Sequence, residues 1–189
     1  RGEDGRRGLG GDAVTVAAVV FDWGGTLTPW HTIELAEAWR ALRLGDDAAE
    51  RLLAAEETVW ARARQTQRSG TMDEVFAAAG VTAGPQEIAE YYAWWEEHSY
   101  TDPDVRPLWE QLRSRRIRIG VLSNTLWPRT EHDRVFRRDG VADLIDAAVY
   151  TSEIEWTKPH PAAFHAVLDA LGGIPPEDAV FVGDRRWDD

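Results

Sequence analysis

An aspartate placed between an apolar run and two glycines is the position of this sequence with the clearest chemical potential. Asp22 directly follows the apolar run 14–21 and precedes Trp23-Gly24-Gly25-Thr26. Ligands of open α/β sheets bind at the carboxyl ends of the strands, and glycine backbone can approach an anion closely. The pattern therefore predicts a carboxylate that faces a substrate. The same short pattern is also typical of an aspartate that only caps a chain reversal.

Further polar residues follow or precede the other apolar runs. They are Ser123 and Asn124 after the second run, Lys158 before the helix that leads to the fourth, and Asp184, Asp188 and Asp189 after the fourth. Carboxyl ends of parallel strands share one edge of a sheet, so we expect these groups to converge on Asp22. Neighbouring aspartates repel one another unless a hard cation lies among them. Mg²⁺ suits such a site, because it takes few carboxylates, several waters and phosphate oxygens.

Hydrophobic periodicity predicts the elements that would position these groups. Strands are expected at 14–21, 117–123, 147–151 and 179–183, with helices at 107–115, 129–138 and 161–171 between them. Residues 32–99 have helical periodicity, with a capping box from Thr71 to Glu74 and a helix stop at Gly80. Strands that alternate with crossover helices indicate a doubly wound parallel sheet, an α/β fold. The helical block would then lie over the carboxyl edge of the sheet.

Composition limits the function classes. The chain has 189 residues, is 43% hydrophobic and carries a formal net charge of −12. This charge disfavours a nucleic-acid or anionic-membrane surface, so any anionic substrate needs a local cation. Cysteine is absent, which excludes disulfides and a thiol nucleophile. No apolar run is long enough to cross a bilayer. Residues 1–12 are polar and glycine-rich and lack a signal core, so we expect a disordered leader and a cytoplasmic protein.

Four motifs in this order resemble those of the haloacid dehalogenase superfamily of aspartate-nucleophile hydrolases. They are VVFDWGGT at 19–26, Ser123 in VLSNT, Lys158 in TKPHP, and Gly183-Asp184 followed by Asp188 and Asp189. The resemblance covers 14–189. It implies a Rossmann-like core at 13–28 and 104–189, with a helical cap inserted at 29–103. Members of the family continue beyond the fourth motif with a helix and another strand, so we expect the C-terminal end of the core to be missing from this sequence.

The resemblance also implies a role for each motif. Asp22 would attack phosphorus and form an aspartyl-phosphate, and Lys158 would neutralise the charges of the nucleophile and the phosphate. Mg²⁺ would bind Asp22, the carbonyl of Gly24 and Asp184, with Asp188 or Asp189 as a further ligand or as a support to one. Phosphate contacts are expected from Ser123, Gly25, Thr26 and Asn124. The implied activity is a magnesium-dependent phosphatase of a small phosphorylated metabolite, without a nucleic-acid or membrane partner.

One departure from the family pattern leaves alternatives open. Phosphatases of the family usually carry a second aspartate two residues after the nucleophile, where it protonates the leaving alcohol. Gly24 occupies that place, and loss of such a group typically costs about 10²–10⁴-fold in rate. A substrate with a good leaving group, a cap residue such as His31 or His98, or weak turnover by a phosphate-binding relative would each account for it.

The dehalogenase branch of the family also lacks this aspartate and works without metal. Its first motif usually has Tyr at or just before the place of Gly25, and its fourth motif lacks the doubled acids. This sequence has no such Tyr and keeps its acids, which favours the phosphatase. The aromatic residues at 91–95 are expected to form the core of the cap, or else a roof that selects an organic substrate.

Overall fold

The computed structural model describes residues 16–29 and 33–186. Its sheet contains four strands, β1 (Ala18–Phe21), β2 (Arg118–Ser123), β3 (Ala147–Tyr150) and β4 (Ala179–Val182), in the order β3-β2-β1-β4. All three neighbouring pairs are parallel. All four residues of β1 are buried, as expected for a central strand covered on both faces. The predicted doubly wound α/β class is confirmed.

Seven α-helices accompany the sheet in the described residues. They are α1 (Leu35–Arg40), α2 (Asp46–Thr66), α3 (Met72–Ala79), α4 (Pro85–Trp95), α5 (Val105–Ser114), α6 (Arg129–Arg138) and α7 (Pro161–Ala170). Helices α1 to α4 all lie between β1 and β2 in the sequence. Single 3₁₀ turns at Ala142–Leu144, Thr151–Glu153 and Pro176–Asp178 complete the connections. None of the described helices is long and apolar enough to cross a membrane.

Local signals explain most of the helix limits. The hydroxyl of Thr71 accepts a hydrogen bond from the amide of Glu74 at 3.2 Å, and Gly80 ends α3 in the left-handed conformation, with φ of 61°. The helical periodicity predicted over 32–99 includes residues 96–99, but α4 ends at Trp95. The carbonyl of Trp95 accepts from the amide of His98 and the hydroxyl of Ser99, which tightens the last turn.

Hydrophobic residues form one cluster among the helices α1 to α4 and one on each face of the sheet. The helical cluster includes Trp39, Leu52, Val75 and Tyr91 and extends to Leu126, in the loop after β2. Trp109 and Ile119 belong to one sheet cluster, and Leu122 and Val167 to the other. Leu126 thus joins the helical layer to the carboxyl edge of the sheet. The division into a core and a cap at residues 29–103 remains a prediction.

Candidate active site

A buried ion pair lies where β1 ends. Asp22 and Lys158 are 8% and 4% exposed, and Lys158 Nζ is 2.8 Å from Asp22 Oδ1. The amide of Asp22 donates to the carbonyl of Val182 at 2.9 Å, so the pairing of β1 with β4 fixes its backbone. The ammonium also lies 4.8 Å from the ring centre of Phe181. Burial of two charges is costly unless they are paired with good geometry, and this pair meets that condition.

The backbone of Lys158 is held by Asn124. The side-chain amide of Asn124 donates to the carbonyl of Lys158 at 3.0 Å, and its oxygen accepts from the amide of Lys158 at 2.8 Å. Asn124 was predicted to contact substrate, and it does lie at the site. The two hydrogen bonds give it a further role, which is to fix the loop that presents the ammonium. Sequence spacing gave no signal for this role, since the two residues are 34 positions apart.

A shell of buried hydroxyls lies beside the ion pair, where β2 and β3 end. Ser123 is buried at the last position of β2. The hydroxyl of Thr151 accepts from the amide of Thr125 at 3.0 Å, and Nε2 of His132 lies 3.1 Å from Thr125 Oγ1. Burial, with a smaller contribution from the charge of Arg129, lowers the pKa of His132 to about 3. His132 is therefore a neutral support at ordinary pH.

The glycine turn after Asp22 closes around one carbonyl. The amides of Thr26, Leu27 and Thr28 all donate to the oxygen of Trp23, at 3.3, 2.9 and 3.1 Å. Gly25 has φ of 80°, a left-handed conformation that glycine adopts without strain, and its amide lies 3.4 Å from Thr28 Oγ1. A Cβ atom built on Gly24 would meet nothing within 4 Å. The position that lacks an acid therefore has room for one.

The predicted acids of the fourth motif are only partly described. Asp184 lies in the exposed bend after β4, and the register of Phe21 with Val182 brings that bend beside Asp22. Asp188 and Asp189 lie outside the described residues, as does His31 of the predicted cap. Within 16–29 and 33–186, no three acidic, histidine or cysteine side chains are grouped closely enough to bind a metal. The predicted ligand set is thus represented by Asp22, the Gly24 carbonyl and Asp184.

A cavity of about 840 Å³ connects the sheet edge to the helical layer. The predicted residues Asp22, Gly24, Gly25, Ser123, Asn124 and Lys158 line it, while Thr26 and Asp184 do not. Its other walls come from α2, α4 and the loop after β2, with Trp60, Tyr91, Trp95 and Trp127 among them. The volume is within the range of about 300–1,000 Å³ typical of small-molecule sites. Tyr91 and Trp95 line the cavity and also pack in the helical cluster, and a role in substrate selection remains a prediction.

Glu56 of α2 lines the same cavity and was not predicted. It lies four residues after Leu52 and four before Trp60, on the inward stripe of the helix. Its Oε2 accepts from the indole nitrogen of Trp39 at 2.8 Å. Burial raises the pKa of the Glu56 carboxyl, and hydrogen bonds from Trp39 and Trp60 oppose the shift. An acidic residue on an otherwise apolar helix face was the available signal.

The geometry places a buried carboxylate beside an ammonium at the edge of a cavity of small-molecule size. The sequence matches the family described as "Hydrolase: haloacid dehalogenase-like hydrolase" over residues 16–189. The chain therefore belongs to the haloacid dehalogenase-like hydrolases, and the predicted resemblance is confirmed. It is a hydrolase of this family.

Several characterised proteins are similar to this chain. A phosphoglycolate phosphatase of Rhodospirillum rubrum is 30% identical over 184 residues, which cover 90% of this chain and 73% of that protein. A glyceraldehyde 3-phosphate phosphatase of Methanopyrus kandleri is 27% identical over 182 residues, 90% of this chain and 76% of that protein. Phosphatase MT3486 of Mycobacterium tuberculosis is 33% identical over 70 residues, which span 37% of this chain and only 32% of that relative.

Solved structures of both branches share the fold. A phosphatase of the superfamily from Thermococcus onnurineus has a TM-score of 0.64 at 23% identity, over 90% of this chain and 78% of that one. The L-2-haloacid dehalogenase RSc1362 has a TM-score of 0.61 at 21% identity, over 92% and 80% of the two chains. These similarities concern the fold alone.

Proposed function

We propose that this chain is a magnesium-dependent phosphomonoesterase that acts through an aspartyl-phosphate on Asp22. The observation that carries the proposal is the buried Asp22–Lys158 pair, 2.8 Å apart, at the edge of a cavity large enough for a small metabolite. The phosphatase relatives that match nine-tenths of this chain support it. The proposed substrate is accordingly a small phosphorylated compound, and the proposed location is the cytoplasm.

Each described residue has a defined task in this proposal. Asp22 attacks phosphorus, and Lys158 stabilises the charge that spreads over the phosphoryl oxygens. The hydroxyl of Ser123 donates to one of these oxygens, and Asn124 keeps the lysine loop in place. Water then attacks the phosphorus of the aspartyl-phosphate, which releases phosphate and returns the bonding electron pair to Asp22.

The described oxygen donors fit Mg²⁺. A carboxylate at the end of β1, the carbonyl of Gly24 and the exposed carboxylate of Asp184 after β4 are hard ligands on neighbouring strand ends. Mg²⁺ commonly keeps several waters and needs only one or two carboxylates from the protein. When bound, it would supply positive charge to the phosphate. In a chain of net charge −12 this local charge is needed to attract an anionic substrate.

A metal-independent dehalogenase is the second candidate. The observation that favours it is Gly24, because carboxylate displacement of halide needs no proton donor. The buried ammonium beside Asp22 could stabilise a substrate carboxylate as well as a phosphate. The absence of a tyrosine at or just before Gly25 and the presence of Asp184 make it the weaker candidate.

Turnover of 4-nitrophenyl phosphate, phosphoglycolate and glyceraldehyde 3-phosphate, each with Mg²⁺ or with chelator, tests the proposal. We expect magnesium-dependent phosphate release that Asp22→Asn abolishes and that the control Asp169→Asn, on the exposed surface of α7, leaves unchanged. Halide release from 2-chloropropionate in the presence of chelator, without phosphate turnover, would instead establish the dehalogenase.

A further inference from the structure

The leaving group of an alkyl phosphate requires a proton that the nucleophile cannot supply. Asp22 is engaged with Lys158, and Gly24 has no side chain. Among the described residues that line the cavity, the carboxyl groups are those of Asp22 and Glu56. Glu56 comes from α2, and so belongs to the helical wall of the cavity and not to the sheet edge.

Glu56 is held in a defined orientation by neighbouring indoles. Trp39 of α1, which is fully buried, donates to Oε2 at 2.8 Å. Trp60, one turn along α2, favours the carboxylate form and so lowers the pKa of this group. A carboxyl that is fixed by one oxygen can present the other to a ligand. Catalytic groups are commonly oriented in this way by a second residue.

The surroundings of Glu56 favour its protonated form. Burial among apolar side chains disfavours the carboxylate and raises the pKa, and the charge of Glu57 on the same helix adds to this effect. Tyr91 of α4 faces Glu56, and burial together with the charge of Glu56 raises the pKa of its phenol. The other ionisable groups along the cavity are Arg64, His98 and Arg185, and the Asp22–Lys158 pair.

We propose that Glu56 is the general acid and base of this hydrolase, supplied from the helical layer. This inference rests on the proposed phosphatase function and names the group that completes it. His98 also lines the cavity, but its ring packs between Trp94 and Trp95, at 4.6 and 6.4 Å between ring centres. Glu56 is the cavity acid whose orientation is set by a hydrogen bond from a fully buried donor.

The proton balance of the reaction is complete with this residue. As Asp22 bonds to phosphorus, the bond from phosphorus to the alcohol oxygen breaks and its electron pair stays on that oxygen. Protonated Glu56 gives its proton to this oxygen and becomes a carboxylate. It then takes a proton from the water that attacks the aspartyl-phosphate. Phosphate leaves, and Asp22 and Glu56 return to their starting forms.

The leaving group distinguishes an acid from a residue that only shapes the cavity. We would compare Glu56→Gln with the parent chain on 4-nitrophenyl phosphate, whose leaving group needs little protonation, and on glycerol 2-phosphate, whose leaving group needs much. The quantity to compare is kcat/KM, which reports the transfer of the phosphoryl group to Asp22 and not the later hydrolysis common to both esters. On the alkyl ester its expected loss is about 10²–10⁴-fold, the usual contribution of general acid catalysis. On the aryl ester the expected loss of kcat/KM is less than about tenfold, because that leaving group needs little protonation.

Two further variants complete the comparison. Glu50→Gln removes an exposed carboxylate elsewhere on α2 and should leave both activities unchanged. Gly24→Asp in the Glu56→Gln background should restore alkyl-ester turnover at least about tenfold, because the space beside Gly24 is open and an aspartate there can donate the proton.

The outcomes separate this inference from the function on which it rests. Equal losses on both esters, or no loss on either, with an active parent chain would overturn the role of Glu56 alone. An inactive parent chain on both esters would overturn the phosphatase and this inference together. If Glu56→Gln does not fold, measurements on the parent chain alone still test the inference. Its kcat/KM should change little across phosphate esters of increasing leaving-group pKa, and a steep fall would overturn the inference.

Discussion

The sheet edge and the helical layer bury different kinds of residue. Asp22, Ser123, Thr125, Thr157 and Lys158 are buried polar residues in the loops and strand ends of the sheet. None of the fully buried polar residues that the structure describes lies within α1 to α4, where buried positions are alanine, aliphatic or aromatic. Polar groups are stable in a protein interior only when they are paired. The sheet edge therefore holds the buried polar groups that a reaction could use, whereas the helical layer is stabilised by apolar packing and encloses the cavity.

Glu56 has features of both regions. It is part of α2 in the helical layer, and it also lines the cavity at the sheet edge. The helical wall thus contributes one carboxyl group to the cavity, and the sheet edge contributes the Asp22–Lys158 pair. This contrast predicts that substitutions at the edge reduce turnover, whereas substitutions within the helices reduce stability.

The largest effect is expected at the buried lysine. Lys158→Met should lower kcat for an aryl phosphate by about 10²–10³-fold, because loss of one preorganised positive donor at the transition state typically has this cost. Steady-state kinetics with saturating Mg²⁺ would measure it. Arg43→Met, which removes an exposed positive charge near α1, is the control and should change kcat less than twofold. A Lys158→Met variant that keeps more than a tenth of parental turnover would refute the assigned role.

Next in size is a loss of packing in the helical layer. Leu52 is fully buried in α2, and Leu52→Ala should lower the free energy of unfolding by about 2–5 kcal/mol through lost contacts and a residual cavity. Urea denaturation followed by tryptophan fluorescence measures this change. The exposed Glu50→Ala on the same helix should stay within about 0.5 kcal/mol of the parent. A comparable cost at both positions would contradict a tightly packed helical core.

A pH-dependent effect is expected from His132, the buried support of the sheet edge. The folded-state pKa of His132 is about 3, against 6.5 as its ordinary value. Between these values only the unfolded chain binds the proton, so stability is full above about pH 6.5 and declines as the pH falls towards 3. The unfolding free energy falls by up to about 1.4 kcal/mol for each pH unit in this range.

His132→Phe should remove this component. Between pH 7 and pH 5 the parent chain should lose about 1–2 kcal/mol more unfolding free energy than the variant, measured by urea denaturation at each pH. His165→Gln, at an exposed position of α7, is the control. Its unfolding free energy should depend on pH in the same way as that of the parent chain. Identical pH profiles for the parent and His132→Phe would show that burial does not keep this imidazole neutral.

The smallest effect concerns a helix cap. Thr71→Ala removes the hydroxyl that accepts from the amide of Glu74, and should cost about 1 kcal/mol of unfolding free energy. Thr58→Ala is the matched control, because that exposed hydroxyl only donates to Ala54 within α2 and its loss should cost less than about 0.5 kcal/mol. Thermal or urea unfolding of both variants would check the difference. Equal effects would mean that the cap does not stabilise α3.

The two regions also differ in how far the sequence predicts them. Apolar runs located all four strands, because buried parallel strands leave few alternatives to a continuous hydrophobic segment. The first strand is shorter than expected and begins at Ala18. The limits of α3 at Thr71 and Gly80 followed from residue type, while the end of α4 at Trp95 depends on the hydroxyl of Ser99.

At the site, what could be predicted was the set of motifs at the strand ends. The partnership of Asp22 with Lys158 joins residues 136 positions apart, and strand order made it an expectation. The hold of Asn124 on Lys158 and the place of Glu56 in the cavity depend on how loops and helices pack. The hydrogen bonds of Asn124 have no local sequence pattern, because they join residues 34 positions apart. Glu56 had one local signal, an acidic residue on the apolar stripe of α2, but its place in the cavity arises from the tertiary fold.

The most direct test of the account is to find the covalent intermediate. The protein would be mixed with an aryl phosphate and Mg²⁺, quenched in acid within milliseconds, and digested for mass spectrometry. The account predicts a phosphoryl group on Asp22, labile to hydroxylamine, in the parent chain and in Arg43→Met but not in Asp22→Asn. Phosphate turnover at an unchanged rate in Asp22→Asn, or a phosphoryl group on another residue, would contradict the central claim.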